Sequence, residues 1–224
     1  MKVKCDRGLE YEAGPARTAL LSIDFQQDFV GQGFCLARGD NVANLRTALG
    51  PAQQALQLAR SAGLTIVHTR EGYAPDLSDL NPFRRVSDQV VGEAGPAGRF
   101  LIRGEPGNQI VPEMAPIDGE LVIDKAAFSA FHGTGLAAVL RAAGVDHLIL
   151  TGVTTQCCVA STLRSAIDEG FFPLVLKDCC AAFDTADHDA SISVIYAENN
   201  NFGWVSDVAR FSEGLVLGDS AARA

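Results

Sequence analysis

The sequence predicts an α/β protein of three layers, a mainly parallel sheet between two sheets of helices. Two observations point there. Short apolar runs rich in β-branched residues recur along the chain, and between them lie longer stretches with the 3.6-residue spacing of amphipathic helices. A third sets the scale: 224 residues, 47% of them hydrophobic, bury one substantial core, so a single domain over 1–224 is expected.

The strands follow in order as Ala19 to Asp24, Leu64 to Thr69, Glu120 to Ile123, His147 to Thr151 and Phe172 to Leu176, with a short sixth near Gly203 to Val205. Helical spacing covers Asn41 to Ser61, Gly135 to Ala143, Cys157 to Glu169 and Asp187 to Tyr196, and Gly63, Gly144 and Gly170 stand where helices commonly stop. The stretch from Glu71 to Gly119 carries Pro75, Pro82, Pro96, Pro106, Pro112 and Pro116. A connection of that length inside a compact domain is expected to be a lid or a surface excursion.

A formal net charge of −9 disfavours nucleic acid and anionic membranes as partners. The start of the chain has no apolar run of signal-peptide length, and no other segment approaches a membrane span, so a cytoplasmic protein is expected. Six cysteines are too few for a disulfide scaffold and two pairs of them are adjacent in sequence, so free thiols are expected. No GxGxxG follows a strand, and no nucleotide-binding motif supports a cofactor.

Ligands of open parallel sheets sit beyond the carboxyl ends of the strands. Three residues there carry reactive chemistry. Cys158 lies in the first turn of the helix after HLILT, where the helix dipole and free N–H groups favour a thiolate, although a small residue at a tight junction would serve packing alone. Asp24 follows ALLSI and is either an acid–base group or the cap of a turn. Lys125 follows ELVID and is either a charge partner or a solvated side chain. Arg70 and Glu71, just past another strand, pair with each other or with a substrate.

The segments LLSIDFQQDF, VIDKAAFSAFHGTGL and LTGVTTQCCVASTLRSAIDEGFFPLVLKDCC resemble, in order, the three signature regions of isochorismatase-like cysteine hydrolases. The resemblance implies a Rossmann-like fold with a mainly parallel six-stranded sheet. It implies Cys158 as nucleophile with Asp24 and Lys125, and a cis peptide at Val153-Thr154. It also implies an oxyanion hole from the backbone N–H groups of Thr154 and Cys158, and a homo-oligomer, often a tetramer. The exposed end of the chain after Val205 is a candidate for that assembly. Asp24 then takes the thiol proton and passes it to the leaving amine, while Lys125 holds the charged forms.

Nicotinamidases of the superfamily carry an Asp-x-His cluster for a metal. Here His68, His132, His147 and His188 are isolated, so no metal is expected. Within the superfamily, HTREGYAPDLSDL and RFLIRGEPGNQIVPEMAP resemble the biuret-hydrolysing branch, which implies a small ureide substrate cleaved with release of ammonia. Where that branch has glutamine and two glycines, this chain has Glu198-Asn199-Asn200. A carboxylate in the pocket would prefer a cationic ureide such as guanylurea. Ureido acids of the ureidoacrylate or N-carbamoylsarcosine type stay open as alternatives, and so does a non-catalytic thiol-bearing protein. Phe25, Phe29, Phe128 and Phe131 flank the catalytic segments and are candidate pocket walls.

Overall fold

A computed structural model of the chain describes residues 1–87 and 90–222, and side chains through Val216. Its centre is one sheet of six strands: β1 (Thr18–Ile23), β2 (Thr65–Glu71), β3 (Leu121–Lys125), β4 (His147–Val153), β5 (Phe172–Ala181) and β6 (Trp204–Ser206). Every pairing in it is parallel and the spatial order is β6-β5-β4-β1-β2-β3. The order reverses direction between β1 and β4. That switch point is where open α/β sheets leave a crevice for a ligand.

Alternate residues of each strand feed opposite layers, as the period of two requires. Leu20, Ile149, Leu174 and Leu176 join one core with α1 (Leu49–Ser61) and with Val208 and Phe211 of a C-terminal helix. Ala19, Leu21, Ile23, Leu148, Leu150 and Val175 join another. This second core takes α2 (Leu136–Ala142), α3 (Ala160–Asp168) and α4 (Thr185–Ile195). Both faces of the sheet are therefore covered, and its strands are apolar without alternation.

Several boundaries move from the sequence reading, each for a local reason. The helix expected over Asn41 to Ser61 is two, Val42–Arg46 and Leu49–Ser61. Pro51 has no N–H to give the carbonyl of Thr47 and its ring crowds that carbonyl, so the second helix starts afresh with Pro51 in its first turn. The turn Thr155–Val159 is a π-turn, with the Val159 N–H donating to Thr154 O at 3.2 Å. Such a widened turn recurs at functional positions.

Among the elements outside the sequence reading are an amino-terminal ribbon and a carboxyl-terminal helix. Lys2–Lys4 and Glu10–Glu12 form an antiparallel ribbon. The helix α5 (Val208–Ala222) packs on it, with Gly214 so close to Lys2 that a Cβ would stand 2.6 Å from the Lys2 carbonyl oxygen. After Val205 the chain buries Val208 and Phe211 inside its own subunit and leaves Ala209, Glu213 and Val216 exposed; residues 223–224 lie outside the described residues. Among the described residues no helix is long and apolar enough to cross a membrane. All six cysteines are free thiols.

Candidate active site

Four adjacent strands deliver the site. Asp24 leaves β1 in a left-handed conformation, φ 55°, which turns its carboxylate back under the sheet's end. Thr69 of β2 donates its hydroxyl to Asp24 Oδ1 at 2.6 Å. Lys125, last residue of β3, reaches across β2 to place Nζ 2.7 Å from Asp24 Oδ2, and both side chains are fully buried. Lys125 Nζ also donates to Ala127 O at 2.9 Å and to Cys158 Sγ at 3.6 Å. Cys158 comes from the π-turn after β4 and is 3% exposed.

The spacing between β1 and β4 at this point is set by a missing methyl group. Gly152 has φ +148°, and a Cβ on it would stand 2.4 Å from the Ile23 carbonyl oxygen. Only glycine lets the two strands that carry Asp24 and Cys158 come this close. One residue on, the Val153-Thr154 peptide is cis.

Glu71, last residue of β2, is the site residue that sequence reasoning placed only loosely. Its carboxylate is buried beside the nucleophile candidate, and Cys158 Sγ donates to Oε2 at 3.6 Å. Tyr73 OH and Arg84 Nη2 donate to Oε1 at 2.9 and 2.8 Å. The side chain of Gln26 receives the Glu71 N–H at 2.8 Å and donates to its carbonyl at 2.9 Å, so the backbone there is held on both sides. Arg70 does not pair with Glu71; it points the other way along the strand to Asp124 at 2.7 Å. Alternation on a strand separates neighbours in this way.

Atoms of Asp24, Glu71 and Cys158 lie within 4.8 Å of one another, a donor spacing that a metal ion would accept. The cation in contact with that set is the Lys125 ammonium. Burial works against its charge, but Asp24, Cys158 and Glu71 outweigh burial and hold its pKa above the ordinary value. The thiol of Cys158 behaves otherwise than its helix-start position suggests. The neighbouring Cys157 side chain, burial, and the charges of Asp24 and Glu71 push it well above its ordinary value against the pull of Lys125. The resting sulfur therefore carries its proton and needs a base at the moment of attack.

Above the cluster opens a cavity of about 180 Å³ lined by Glu71, Arg84, Phe29, Phe128, Thr154 and Cys158, with Arg38 and Phe100 farther along its wall. The Arg84 guanidinium lies 4.2 Å from the centre of the Phe128 ring. Of the four phenylalanines proposed as walls, Phe29 and Phe128 line the cavity. Phe25 is 1% exposed in the core under α1, and Phe131 packs on Phe171 at 5.5 Å between ring centres; neither lines it.

Glu198 is exposed in a left-handed turn, φ 52°, after α4. The helix α4 starts beyond the carboxyl end of β5 and runs back along the sheet, so its last turn lies at the opposite end from Cys158 within the same chain. A helix of 11 residues spans about 16 Å. The expected contact of Glu198 with its own pocket is overturned by that direction of travel.

The parallel sheet thus brings a buried cysteine, carboxylate and lysine together at its switch point. Residues 18–210 match the model of the isochorismatase domain, and the chain belongs to that family. Over 209 residues it is 32% identical to ureidoacrylate amidohydrolase RutB of Cronobacter turicensis, covering 90% of this chain and 89% of the relative. A cysteine hydrolase structure from Pseudomonas syringae pv. phaseolicola superposes with a TM-score of 0.78 at 27% identity, over 92% of this chain and 96% of that one. N-carbamoylsarcosine amidase from Thermoplasma acidophilum shares the fold, with a TM-score of 0.68 at 24% identity over 86% of this chain and 96% of that one. The chain is a hydrolase acting on carbon–nitrogen bonds of linear amides. The biuret-branch resemblance is thereby widened to the amidohydrolases of the family.

Proposed function

We propose that the protein removes ammonia from the terminal ureido group of a small ureide by way of a covalent Cys158 intermediate. The observation that carries this reading is the buried Asp24–Lys125–Cys158 cluster, with distances of 2.7 and 3.6 Å, whose Cys158 lines a cavity. In the first step Asp24 takes the Cys158 proton as sulfur attacks the ureido carbon, and returns it to the departing nitrogen. The C–N bond breaks, ammonia leaves, and an S-carbamoyl adduct remains. Water, deprotonated by the same carboxylate, then adds to that carbon and breaks the C–S bond, releasing a carbamate and restoring the thiol. The backbone N–H groups of Thr154 and Cys158 are the donors assigned to the oxyanion, a role worth about 3 kcal/mol per donor in comparable sites. Lys125 holds the Asp24 carboxylate in place through the 2.7 Å contact.

The cavity, at about 180 Å³, is below the roughly 300–1,000 Å³ of drug-sized sites, which favours a small substrate. Glu71 is placed to accept from the ureido N–H groups once the thiol proton is gone. Of the two arginines on the wall Arg84 is paired with Glu71 and Arg38 with Asp40, so ureido acids and guanylurea are the charged ureides to be compared. Biuret, as the neutral ureide, stands between them. The family resemblance adds a homo-oligomer, a tetramer, to the reading; light scattering on the purified protein checks it.

The test is ammonia release from a ureido acid series, biuret and guanylurea by wild type and Cys158→Ser, with intact mass measured during turnover. A mass increment equal to the substrate less ammonia is expected on the Cys158 peptide in wild type and none in the variant. Undiminished turnover by Cys158→Ser would reject the nucleophile.

A further inference from the structure

Asp28 is a carboxylate that the chemistry above does not use, yet it is only 1% exposed. Its two oxygens have separate tasks. Oδ1 accepts the Phe34 N–H at 3.3 Å, and Oδ2 accepts the Leu101 N–H at 3.0 Å. Phe34 opens the helix Phe34–Arg38, which carries Cys35 and Arg38 of the cavity wall, and Leu101 with Phe100 forms the wall opposite. The two segments meet through Phe34 stacked on Phe100 at 4.4 Å, with Phe29 edge-on to Phe100 at 5.9 Å.

Leu101 sits at φ 55°, a backbone state that a leucine adopts only when its surroundings impose it. Asp28 takes its N–H, and the Tyr73 N–H donates to its carbonyl at 2.8 Å. Tyr73 in turn donates its hydroxyl to Glu71. From the far side Gly107 approaches so closely that a Cβ there would stand 2.2 Å from Asp28 Oδ1. A carboxylate held between two N–H donors and a bare glycine backbone accepts on both oxygens, and burial raises its pKa against those donors.

We infer that Asp28 is a positioning residue that fixes the width of the outer half of the pocket, by tying the Phe34–Arg38 helix and the 100–102 turn to the end of β1. Access and binding of longer ureides depend on it, while bond cleavage at Cys158 does not. The inference rests on Cys158 as the reacting thiol.

Asp28→Asn tests it, because an amide offers one acceptor where two donors must be met, and its NH2 drives one segment outward. The probes are iodoacetamide, which is small, and N-benzylmaleimide, which is bulky, with labelling of Cys158 followed by peptide mass. In the variant the iodoacetamide rate is expected to stay within about twofold, while the maleimide rate rises about fivefold or more as the wall opens. For a ureido acid KM rises about tenfold with kcat within about threefold. Gly107→Ala displaces the same carboxylate from the other side and should give the same pattern, so the inference does not hang on the folding of one variant. Equal changes for both probes in both variants, or a fall in kcat at constant KM, would overturn it. If iodoacetamide leaves Cys158 unlabelled in wild type, the nucleophile assignment fails and takes this inference with it.

Discussion

Two clusters of charge in this molecule use the same residue types to opposite ends. At the carboxyl end of the sheet Asp24 and Lys125 form an ion pair with no solvent exposure, joined by the equally enclosed Glu71–Arg84 pair. Beside β5, Asp6 gathers Lys177 and Arg210, each at 2.7 Å, and the hydroxyl of Tyr196, with its side chain about one-fifth exposed. Taking charges out of water costs several kcal/mol per ion, which a buried pair regains only in part, whereas a rim cluster loses little and gains little. On the function proposed above, the buried cluster is expected to be maintained at the expense of stability for what its charges do to the Cys158 sulfur. The rim cluster fastens the amino-terminal ribbon to β5, α4 and α5.

The largest effect expected from this contrast comes from breaking the buried pair on one side. Lys125→Met takes from the buried Asp24 side chain its ion-pair partner, so activity falls by about 10³-fold or more and unfolding free energy by about 3–5 kcal/mol. Adding Asp24→Asn should restore much of the stability and none of the activity. Denaturant unfolding of the single and double variants reads this, and a double variant no more stable than Lys125→Met would mean that the pair is a stabilising bond after all.

Next in size is the pH response of the thiol. Its pKa is held well above the ordinary value, first by Cys157 and by burial, so alkylation of Cys158 should climb about tenfold per pH unit from 7 to 9 without a plateau. In Lys125→Met the same profile should shift to still higher pH. A plateau below pH 8 in wild type would show a resting thiolate and remove the need for Asp24 as base.

The smallest effect belongs to the rim. Burial alone would raise the Asp6 carboxyl, but Lys177, Tyr196 and Arg210 bring it down to about 2 from 3.8. A lowered folded-state pKa gives stability that is present above the unfolded value and lost as pH falls through the folded one. Asp6→Asn should therefore cost at most about 1 kcal/mol at pH 7 and flatten the loss of stability between about pH 4 and about pH 2. A large loss at neutral pH would place the rim cluster alongside the buried one.

How much of this was legible in the sequence follows the range of the forces involved. The six strands and four main helices were, because apolar period and glycine stops act within a dozen residues. Asp24, Lys125 and Cys158 were legible as strand-end residues, since a parallel sheet gathers such ends in one place. Glu71 with Arg84 was not, because they stand 13 positions apart across the proline-marked excursion and only tertiary packing joins them. The C-terminal helix was hidden by Gly214, which reads as a helix breaker until the Lys2 backbone is seen lying against it. Glu198 failed for a different reason: a departure in a motif says that a residue changed, not which end of the sheet a helix has carried it to.

Gly152 acts as a ruler for the whole family of reactions this scaffold can run. Because the gap between β1 and β4 is fixed by the contact of its bare α-carbon with the Ile23 carbonyl, the reach from carboxylate to sulfur is a property of main chain, not of any side chain a point substitution could retune. The walls made by residues 28–38 and 90–101 hang outside that measure. Substrate range and catalytic spacing are consequently separate variables: laboratory evolution toward a new ureide should accumulate changes in the walls and leave position 152 untouched.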